Sequence, residues 1–256
     1  MIAFQKHSES RILHSAIISV FFWVLPAASF SSQVDAAVQL HLLFTQIRDS
    51  LISKTEAQVR LRSLEKELRD LYPKESHGKA ETPLCFPLEG YGSNAIGGKA
   101  GSGYQVRGYD FFDGNRHKGH PGHDLFIRDK DLNGIDDVSG KAANVISASS
   151  GVVVSVNLGW EPSSPIRGGN YVWIYEPEKS RYYYYAHLQE VWVSIGQMMA
   201  GGDRIGTVGR TGKNACPERS PTHLHFSVHQ SADGYPKPIN PYQELRRGGC
   251  RKKTGE

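Results

Sequence analysis

The order of hydrophobic and polar positions divides the chain into a helical front and a body of short strands. Residues 36–72 contain neither Gly nor Pro, and their apolar side chains recur at helical spacing over Leu40–Leu51 and again over Leu61–Leu71. The two sets share no heptad frame, because continuing the first would place Lys54 and Gln58 on the apolar seam. The pattern predicts a bent amphipathic helix or a helix pair. Such a segment would pack on the body or dimerise, with a tether or an inhibitory pro-segment as alternatives.

From Cys85 onward the pattern changes to brief apolar or alternating runs separated by Gly, Pro, Asn and Asp. Short runs rich in Val, Ile and Tyr are typical of antiparallel strands. Strands do not alternate with helices here, which disfavours a doubly wound fold. The predicted strands are 151–157, 170–175, 181–187, 204–209 and 222–229.

The first residues carry the pattern of an export signal. Lys6 and Arg11 precede a mainly apolar run from Ile12 to Phe30, which contains small residues near its end. A positive start, an apolar centre and a small-residue exit are the features of a secretory signal peptide. We therefore predict a signal peptide or N-terminal anchor over residues 1–29. An uncleaved segment would tether the protein to the membrane.

Composition narrows the class of protein. A chain of 256 residues can bury a core without a disulfide framework. Its 39% hydrophobic and 22% charged residues exclude global disorder and a multi-span membrane protein. A net charge of +4 is too mild to indicate nucleic-acid binding. All 27 glycines follow His77, as do seven of the 11 histidines, so we expect the chemistry in the body.

Three cysteines, Cys85, Cys216 and Cys250, permit one disulfide and one free thiol in an exported protein. The spacing leaves open which pair is bonded. None of the three lies in a histidine motif, so a cysteine nucleophile is disfavoured.

Several histidines are placed where they could share a metal ion. The last predicted strand presents His223 and His225 on one face, because side chains alternate along a strand. The cluster from His120 to Asp124 contains a Pro-Gly pair that makes a helix improbable, so it is extended or a turn. His187 closes another predicted strand. A solvated polar strand face is the simpler alternative for any one of these groups.

The residue types suit zinc chemistry. A catalytic zinc site uses three protein ligands and keeps one position for water. Two imidazoles and one carboxylate would leave Zn(II) a single formal positive charge, enough to acidify water and polarise a carbonyl. Remaining histidines can transfer protons, because imidazole titrates near neutral pH. Both clusters lack Cys, which disfavours a structural zinc site, and the chain has no HExxH motif.

In order along the chain, these motifs resemble the lysostaphin/LytM-type zinc metalloendopeptidases, which cut peptidoglycan peptides. The family motif HxGxD matches His120–Asp124, and its HxH matches His223–His225. The resemblance covers residues 103–245, and several ordered motifs are specific where either histidine motif alone would be weak. Flanking family patterns match at 151–153, 169–172, 185–188, 196–197 and 206–212.

The resemblance implies a zinc-dependent endopeptidase that hydrolyses peptide cross-links or stem peptides of bacterial peptidoglycan, in wall remodelling or lysis. His120, Asp124 and His225 would hold one Zn(II) per catalytic domain. His187 and His223 would lie beside the metal without ligating it. One of them would be the general base, and the pair would stabilise the oxyanion and protonate the leaving amine.

The same resemblance sets expectations for partners and location. Peptidoglycan would be the partner, without nucleic acid. The protein would be periplasmic or extracellular, with an inner-membrane anchor as the alternative to cleavage. A family member that has lost zinc ligands would instead regulate other wall hydrolases. The complete set of ligand and auxiliary residues favours the enzyme.

Two segments depart from the family pattern. The insertion at 129–137 begins like a calcium loop, DxDxNG, yet Gly140 stands where a bidentate carboxylate is needed, and the same residue types build ordinary turns. The long loop Lys213–Pro221 is expected to border the groove. Three further histidines have no family role and are expected at the surface or behind the ligands: His117, His123 and His229.

The predicted fold class is therefore mainly β. An antiparallel β-sheet catalytic domain with a substrate groove would follow an N-terminal amphipathic helical segment. The predicted organisation is a signal or anchor at 1–29, a helical segment at 36–72, a linker at 73–96, the catalytic domain at 97–245 and a basic tail at 246–256.

Overall fold

The computed structural model describes residues 27–72 and 83–250. Residues 1–26 of the predicted signal or anchor lie outside the described residues, as do residues 73–82 of the predicted linker and 251–256 of the predicted tail. Within the described ranges, no helix combines the length and the apolar character needed to span a membrane.

Two helices precede the sheet. Helix α1 spans Ala27–Arg48 and helix α2 spans Lys54–Leu71. The Ser53 hydroxyl caps α2 by accepting a hydrogen bond from the backbone N–H of Glu56, which satisfies one of the free amides of the first turn. The helix-pair alternative is thus confirmed. The break falls between the two apolar sets that share no heptad frame.

The body is built from antiparallel strands, which confirms the predicted fold class. The strands are β1 (His123–Phe126), β2 (Ile135–Asp136), β3 (Lys141–Ala142), β4 (Asn144–Ile146), β5 (Gly151–Asn157), β6 (Asn170–Glu176), β7 (Arg181–Val191), β8 (Met198–Met199), β9 (Arg204–Val208), β10 (His223–Ala232) and β11 (Tyr235–Ile239). Helix α3 (Tyr242–Arg247) follows them.

Nine of these strands form one sheet in the order β1-β10-β7-β6-β5-β8, with β11 beside β10 and β9 beside both β4 and β7. Strands β2 and β3 pair separately as a hairpin. Strands β7 and β10 extend past their predicted ends. Leu188 of β7 continues by pairing with Val208 of β9, and Ala232 of β10 by pairing with Tyr235 of β11. Each extension depends on a partner strand that lies elsewhere in the sequence, so the residue pattern within β7 or β10 did not predict it.

The sheet has two buried faces of different composition. On one face, Leu224 and Phe226 of β10 belong to the main core of the body. On the other face, Phe44 of α1 and Leu61 of α2 pack with Tyr182 of β7. Because side chains alternate along β10, this second face is also the one that carries His223 and His225. The helical segment therefore packs on the body, next to the histidines.

A disulfide joins Cys85 to Cys250, with their Cα atoms 4.7 Å apart. Cys216 is free and exposed. This resolves the pairing that the sequence left open. The bond connects the segment before β1 to the segment after α3, so it holds the two ends of the β domain together.

Candidate metal centre

Three side chains converge at the edge of the histidine face. His225 Nδ1 lies 3.0 Å from His120 Nε2 and 3.0 Å from Asp124 Oδ1, and His120 Nε2 lies 3.1 Å from the same oxygen. The register explains the meeting, because Asp124 of β1 stands opposite His225 of β10. Two imidazoles and one carboxylate form the donor set of a catalytic zinc site, so these residues fit such an ion.

The backbone orients the His120 ring. His120 Nδ1 lies 2.8 Å from the carbonyl oxygen of Gly103. Only a protonated Nδ1 can donate to a carbonyl, so this contact leaves the lone pair on Nε2, the atom that faces Asp124. The main chain at His120 is itself fixed by paired hydrogen bonds with Gln105. The outer contacts that usually hold a ligating histidine are therefore in place.

His187 and His223 stand beside this cluster. Their ring centroids are 4.9 Å apart, and His223 Nε2 is 3.6 Å from Asp124 Oδ1. His187 Nδ1 donates to the Thr211 carbonyl at 2.8 Å, and His223 Nδ1 donates to the Pro221 carbonyl at 2.7 Å. In both rings Nε2 is left as the nitrogen that can exchange a proton. The structure thus brings all five sequence-predicted site residues together.

His187 sits on an unusual backbone. Its φ angle is +68°, in the left-handed region that non-glycine residues rarely adopt. The pairing of β7 with β9 shifts register just after it, between Leu188 and Glu190. The Thr211 hydroxyl stabilises this corner by donating to the Leu188 carbonyl and accepting from the Asn170 amide. Strain of this kind persists only where surrounding contacts hold it.

The charge states suit a cation. Burial opposes ionisation of Asp124, but hydrogen bonds with His120 and His225 outweigh it and hold the Asp124 pKa well below its usual value. Burial lowers the pKa of His225 to about 4. Burial, together with His223 and His225 nearby, lowers the pKa of His187 to about 3. The ionised Asp124 and the neutral His225 are in the protonation states that metal binding requires. At His120, burial is outweighed by the hydrogen bond with Asp124, which raises the His120 pKa, so a metal ion would displace a proton there.

Two of the three histidines without a family role are buried. His123 is fully buried, and its Nε2 lies 2.9 Å from Asn240 Oδ1. Alternation along β1 turns it away from the face of Asp124. His229 is 1% exposed beside Phe111 and Trp173, with Nε2 3.0 Å from the Tyr109 hydroxyl. Of the two expected positions, at the surface or behind the ligands, burial excludes the surface for both, because residues distant in sequence cover them. His117 is half-buried.

The insertion at 129–137 is held by hydrogen bonds to Asp129. In the insertion, Asp129 accepts hydrogen bonds from the backbone amides of Asn133 and Gly134 and from the Thr222 hydroxyl. Carboxylate oxygens of Asp129, Asp131 and Asp137 lie within 4.8 Å of one another. Calcium binding at these three carboxylates stays a prediction.

A cavity of about 180 Å³ opens over the five site residues. Asn214 and Ser220, from the long loop at 213–221, line it. Arg210 anchors that loop by donating to the carbonyls of Ser220 and Pro217 at 2.6 and 2.9 Å. The loop therefore borders the site from a fixed position.

Sequence reasoning missed the groups that orient the histidines. They are the carbonyls of Gly103, Thr211 and Pro221, and a backbone carbonyl leaves no mark on a side-chain motif. Arg167, which lines the cavity and donates to the His117 carbonyl at 2.7 Å, was also missed. A lone arginine in a loop carries no distinguishing spacing.

Residues 130–241 match the sequence model of peptidase family M23. The match includes His187, His223 and His225, and it begins after His120 and Asp124.

Similar solved structures include a zinc-containing peptidase from Vibrio cholerae, at 23% identity and a TM-score of 0.40 over 62% of this chain. The chain spans 39% of that protein. A structure assigned as a glycyl-glycine endopeptidase lytM from Ruminococcus gnavus is 20% identical, with a TM-score of 0.45 over 87% of this chain and 86% of that one. Lysostaphin from Staphylococcus simulans is 24% identical, with a TM-score of 0.42 over 69% of this chain and 59% of its own.

Proposed function

The β domain of this chain belongs to peptidase family M23, and from this premise we propose that the protein is a zinc-dependent endopeptidase. Its substrate would be the peptide cross-links or stem peptides of bacterial peptidoglycan. The observation that carries the proposal is the meeting of His120 Nε2, Asp124 Oδ1 and His225 Nδ1 at 3.0 to 3.1 Å from one another. Three donor atoms at this separation point to one shared cation.

His120, Asp124 and His225 would hold one Zn(II) per domain. When bound, zinc lowers the pKa of water and polarises a carbonyl, which is the chemistry that peptide hydrolysis needs. Asp124 keeps its negative charge at neutral pH, because its hydrogen bonds with the two histidines lower its pKa. The Gly103 carbonyl holds His120 with Nε2 facing inward, so binding requires little reorientation of that ring.

His187 and His223 would handle the protons. Each donates its Nδ1–H to a backbone carbonyl, so each offers Nε2 to the reacting groups. One takes the proton from the attacking water as general base, and the pair stabilises the oxyanion and protonates the leaving amine. His223 Nε2 is 3.6 Å from Asp124 Oδ1, and this carboxylate stabilises an imidazolium formed there.

Peptidoglycan as substrate follows from the family rather than from a contact in the site. It agrees with the export signal expected over residues 1–29 and with a periplasmic or extracellular location. The side chains of His120 and Asp124 are 35% and 29% exposed, so a polymeric substrate can reach the site.

The deciding experiment treats purified peptidoglycan with the zinc-loaded protein and identifies the released fragments by mass. We expect soluble peptide-bearing fragments whose masses identify the cleaved bond. Chelation should abolish the release, and added zinc should restore it. A zinc-loaded protein that releases nothing, yet stimulates a separate wall hydrolase, would replace this proposal with the regulator alternative.

A further inference from the structure

Arg167 brings a positive charge to the metal centre. It lies in the loop between β5 and β6, is half-buried, and lines both the cavity over the metal centre and an adjoining cavity of about 110 Å³. Burial is the largest influence on the pKa values of His117, His120 and Tyr184, and the charge of Arg167 acts to lower all three. These three residues line the cavity over the metal centre, so the guanidinium charge acts at this cavity.

Both the backbone and the guanidinium of Arg167 are held in place. The backbone N–H donates to Asn115 Oδ1 at 3.0 Å, and Nη1 donates to the His117 carbonyl at 2.7 Å. The side-chain oxygen of Asn214, in the amide orientation that satisfies its hydrogen bonds, accepts from Arg167 Nε at 3.2 Å and from Nη2 at 3.3 Å. The guanidinium is therefore fixed between two residues that line the cavity, and a ligand that binds it need not order it first.

These contacts leave the charge of Arg167 uncompensated. Both partners of the guanidinium are neutral oxygens, and none of the ion pairs within 4.0 Å among the described residues includes Arg167. Arg48, which also lines the adjoining cavity, differs because Asp49 pairs with it at 2.8 Å.

The guanidinium also keeps free donors. An arginine side chain has five N–H groups, so after the three contacts Nη1 and Nη2 of Arg167 each retain one N–H without a partner among the described residues. Two such groups on neighbouring nitrogens form the fork that matches the two oxygens of a carboxylate.

Positive charge exceeds negative charge around the two cavities. Of the described residues, Asp124 is the one acid that lines the cavity over the metal centre, and no Asp or Glu lines the adjoining one. A divalent zinc ion would balance Asp124 and leave one positive charge, to which Arg167 adds a second. Such a site attracts an anionic substrate group and disfavours a cationic one.

We propose that Arg167 is a specificity-determining residue that binds a free carboxylate on the peptide residue next to the scissile bond. The assignment rests on the proposed function and narrows its substrates to wall peptides with a carboxylate beside the cleaved bond, rather than uncharged peptides. Arg167 and the metal ligands line one cavity. Successive residues of an extended peptide advance by only about 3.3–3.6 Å, so a carboxylate on the neighbouring residue reaches the guanidinium.

The test compares two capped peptides that differ in one group, N-acetyl-Ala-Glu-Ala-amide and N-acetyl-Ala-Gln-Ala-amide. Each is titrated into the zinc-loaded full chain by calorimetry, and mass analysis of the recovered peptide checks that it is intact. We expect the glutamate peptide to bind about five- to tenfold more tightly at low salt, since hydrogen bonds between two charged groups are the stronger ones. The difference should shrink as salt is added, because ions screen a half-exposed pair. Equal affinities, or tighter binding of the glutamine peptide, would overturn the proposal.

Substitutions decide whether Arg167 is the source of the preference. Arg167→Gln should make the two affinities equal, and Arg167→Lys, which keeps the charge but loses the fork, should retain a preference of about twofold. Arg204→Gln removes the same charge from a residue that lines neither cavity, so it should keep the full preference. Zinc content should match the wild type in all three variants. A preference that survives Arg167→Gln would assign the carboxylate to the metal or to another residue and remove this role from Arg167.

The outcome separates this role from the proposed function. An Arg167-dependent preference in a protein that releases nothing from peptidoglycan would leave the carboxylate site standing and remove the endopeptidase. Release of fragments by a protein that binds the two peptides equally would remove the carboxylate site and leave the endopeptidase.

Discussion

The polar face of strand β10 has two ends with different surroundings. At its beginning, His223 and His225 line a cavity and contact the other residues of the candidate metal centre. Toward its end, Ser231 lies under helix α2, where its hydroxyl donates to Glu65 at 2.6 Å. The Tyr182 hydroxyl donates to the same carboxylate at 2.9 Å. Both ends have the same strand geometry and buried polar side chains.

The difference lies in what covers each end. The helix pair supplies an acceptor for the hydroxyls at the covered end, so those groups stabilise the fold and are not available for chemistry. At the open end no helix intervenes, and the imidazole nitrogens converge on one another and on Asp124. A polar strand face is thus a ligand site only where nothing else satisfies it. Four experiments test this distinction.

The largest effect is expected for a ligand at the open end. His225→Ala removes one of three converging donors, so zinc content should fall from about one per chain to near zero, with hydrolysis at background. Metal analysis together with fragment release measures both. Ser231→Ala, the matched change at the covered end, should keep zinc and hydrolysis. Zinc retained by His225→Ala would break the distinction.

A neighbour that does not bind the metal should behave differently. His223→Ala is expected to keep zinc and lower kcat about 10²–10⁴-fold, the range for loss of a general acid or base. Steady-state kinetics beside metal analysis separates the two effects. Loss of zinc in this variant would instead make His223 a ligand.

A substitution at the covered end should change the stability of the protein rather than its activity. Glu65→Ala leaves the buried hydroxyls of Tyr182 and Ser231 without their acceptor, which should lower the free energy of unfolding by about 2–4 kcal/mol. Urea denaturation measures it, and zinc stoichiometry should be unchanged. Glu65→Gln keeps an acceptor oxygen and should cost less. Unaltered stability in Glu65→Ala would show that α2 contributes no such support.

Low pH should lower the free energy of unfolding of the metal-free protein, because its buried imidazoles are neutral in the folded state. Burial lowers the pKa of His229 from 6.5 to about 3, so below pH 6.5 the unfolded chain binds a proton that the folded chain refuses. Stability is therefore retained above pH 6.5 and lost as the pH falls toward 3, by roughly 3 kcal/mol for this residue at pH 4.5. Urea midpoints at several pH values measure the slope. His229→Gln should flatten it, and an unchanged slope would contradict the assignment.

Much of the candidate site could be predicted from local pattern. Alternation placed His223 and His225 on one face, and ordered motifs pointed to His120, Asp124 and His187. Two apolar sets out of register predicted a bent helix or a helix pair, and the structure shows the pair. Each of these rests on residues close in sequence, where strand and helix periods apply directly.

Other features depended on contacts between distant segments. The pairing of Cys85 with Cys250 joins residues separated by 165 positions. The carbonyls of Gly103 and Thr211 orient rings that lie 17 and 24 positions away. The burial of His229 comes from Tyr109, Phe111 and Trp173, which lie far from it in the sequence. Such contacts form only when the whole chain is folded, so the helix and strand periodicity of the sequence does not predict them.

The sequence by itself determined the antiparallel sheet, the amphipathic helical segment before it and the five polar residues that would share one site. The tertiary structure decided which polar positions of β10 are open and which are covered, because α1 and α2 dock over one end of its histidine face. It also left Ser227 Oγ and His229 Nδ1 buried without a hydrogen-bond partner. The physical reason is that the side-chain direction follows from the local backbone, whereas solvation and hydrogen bonding depend on every element packed around it.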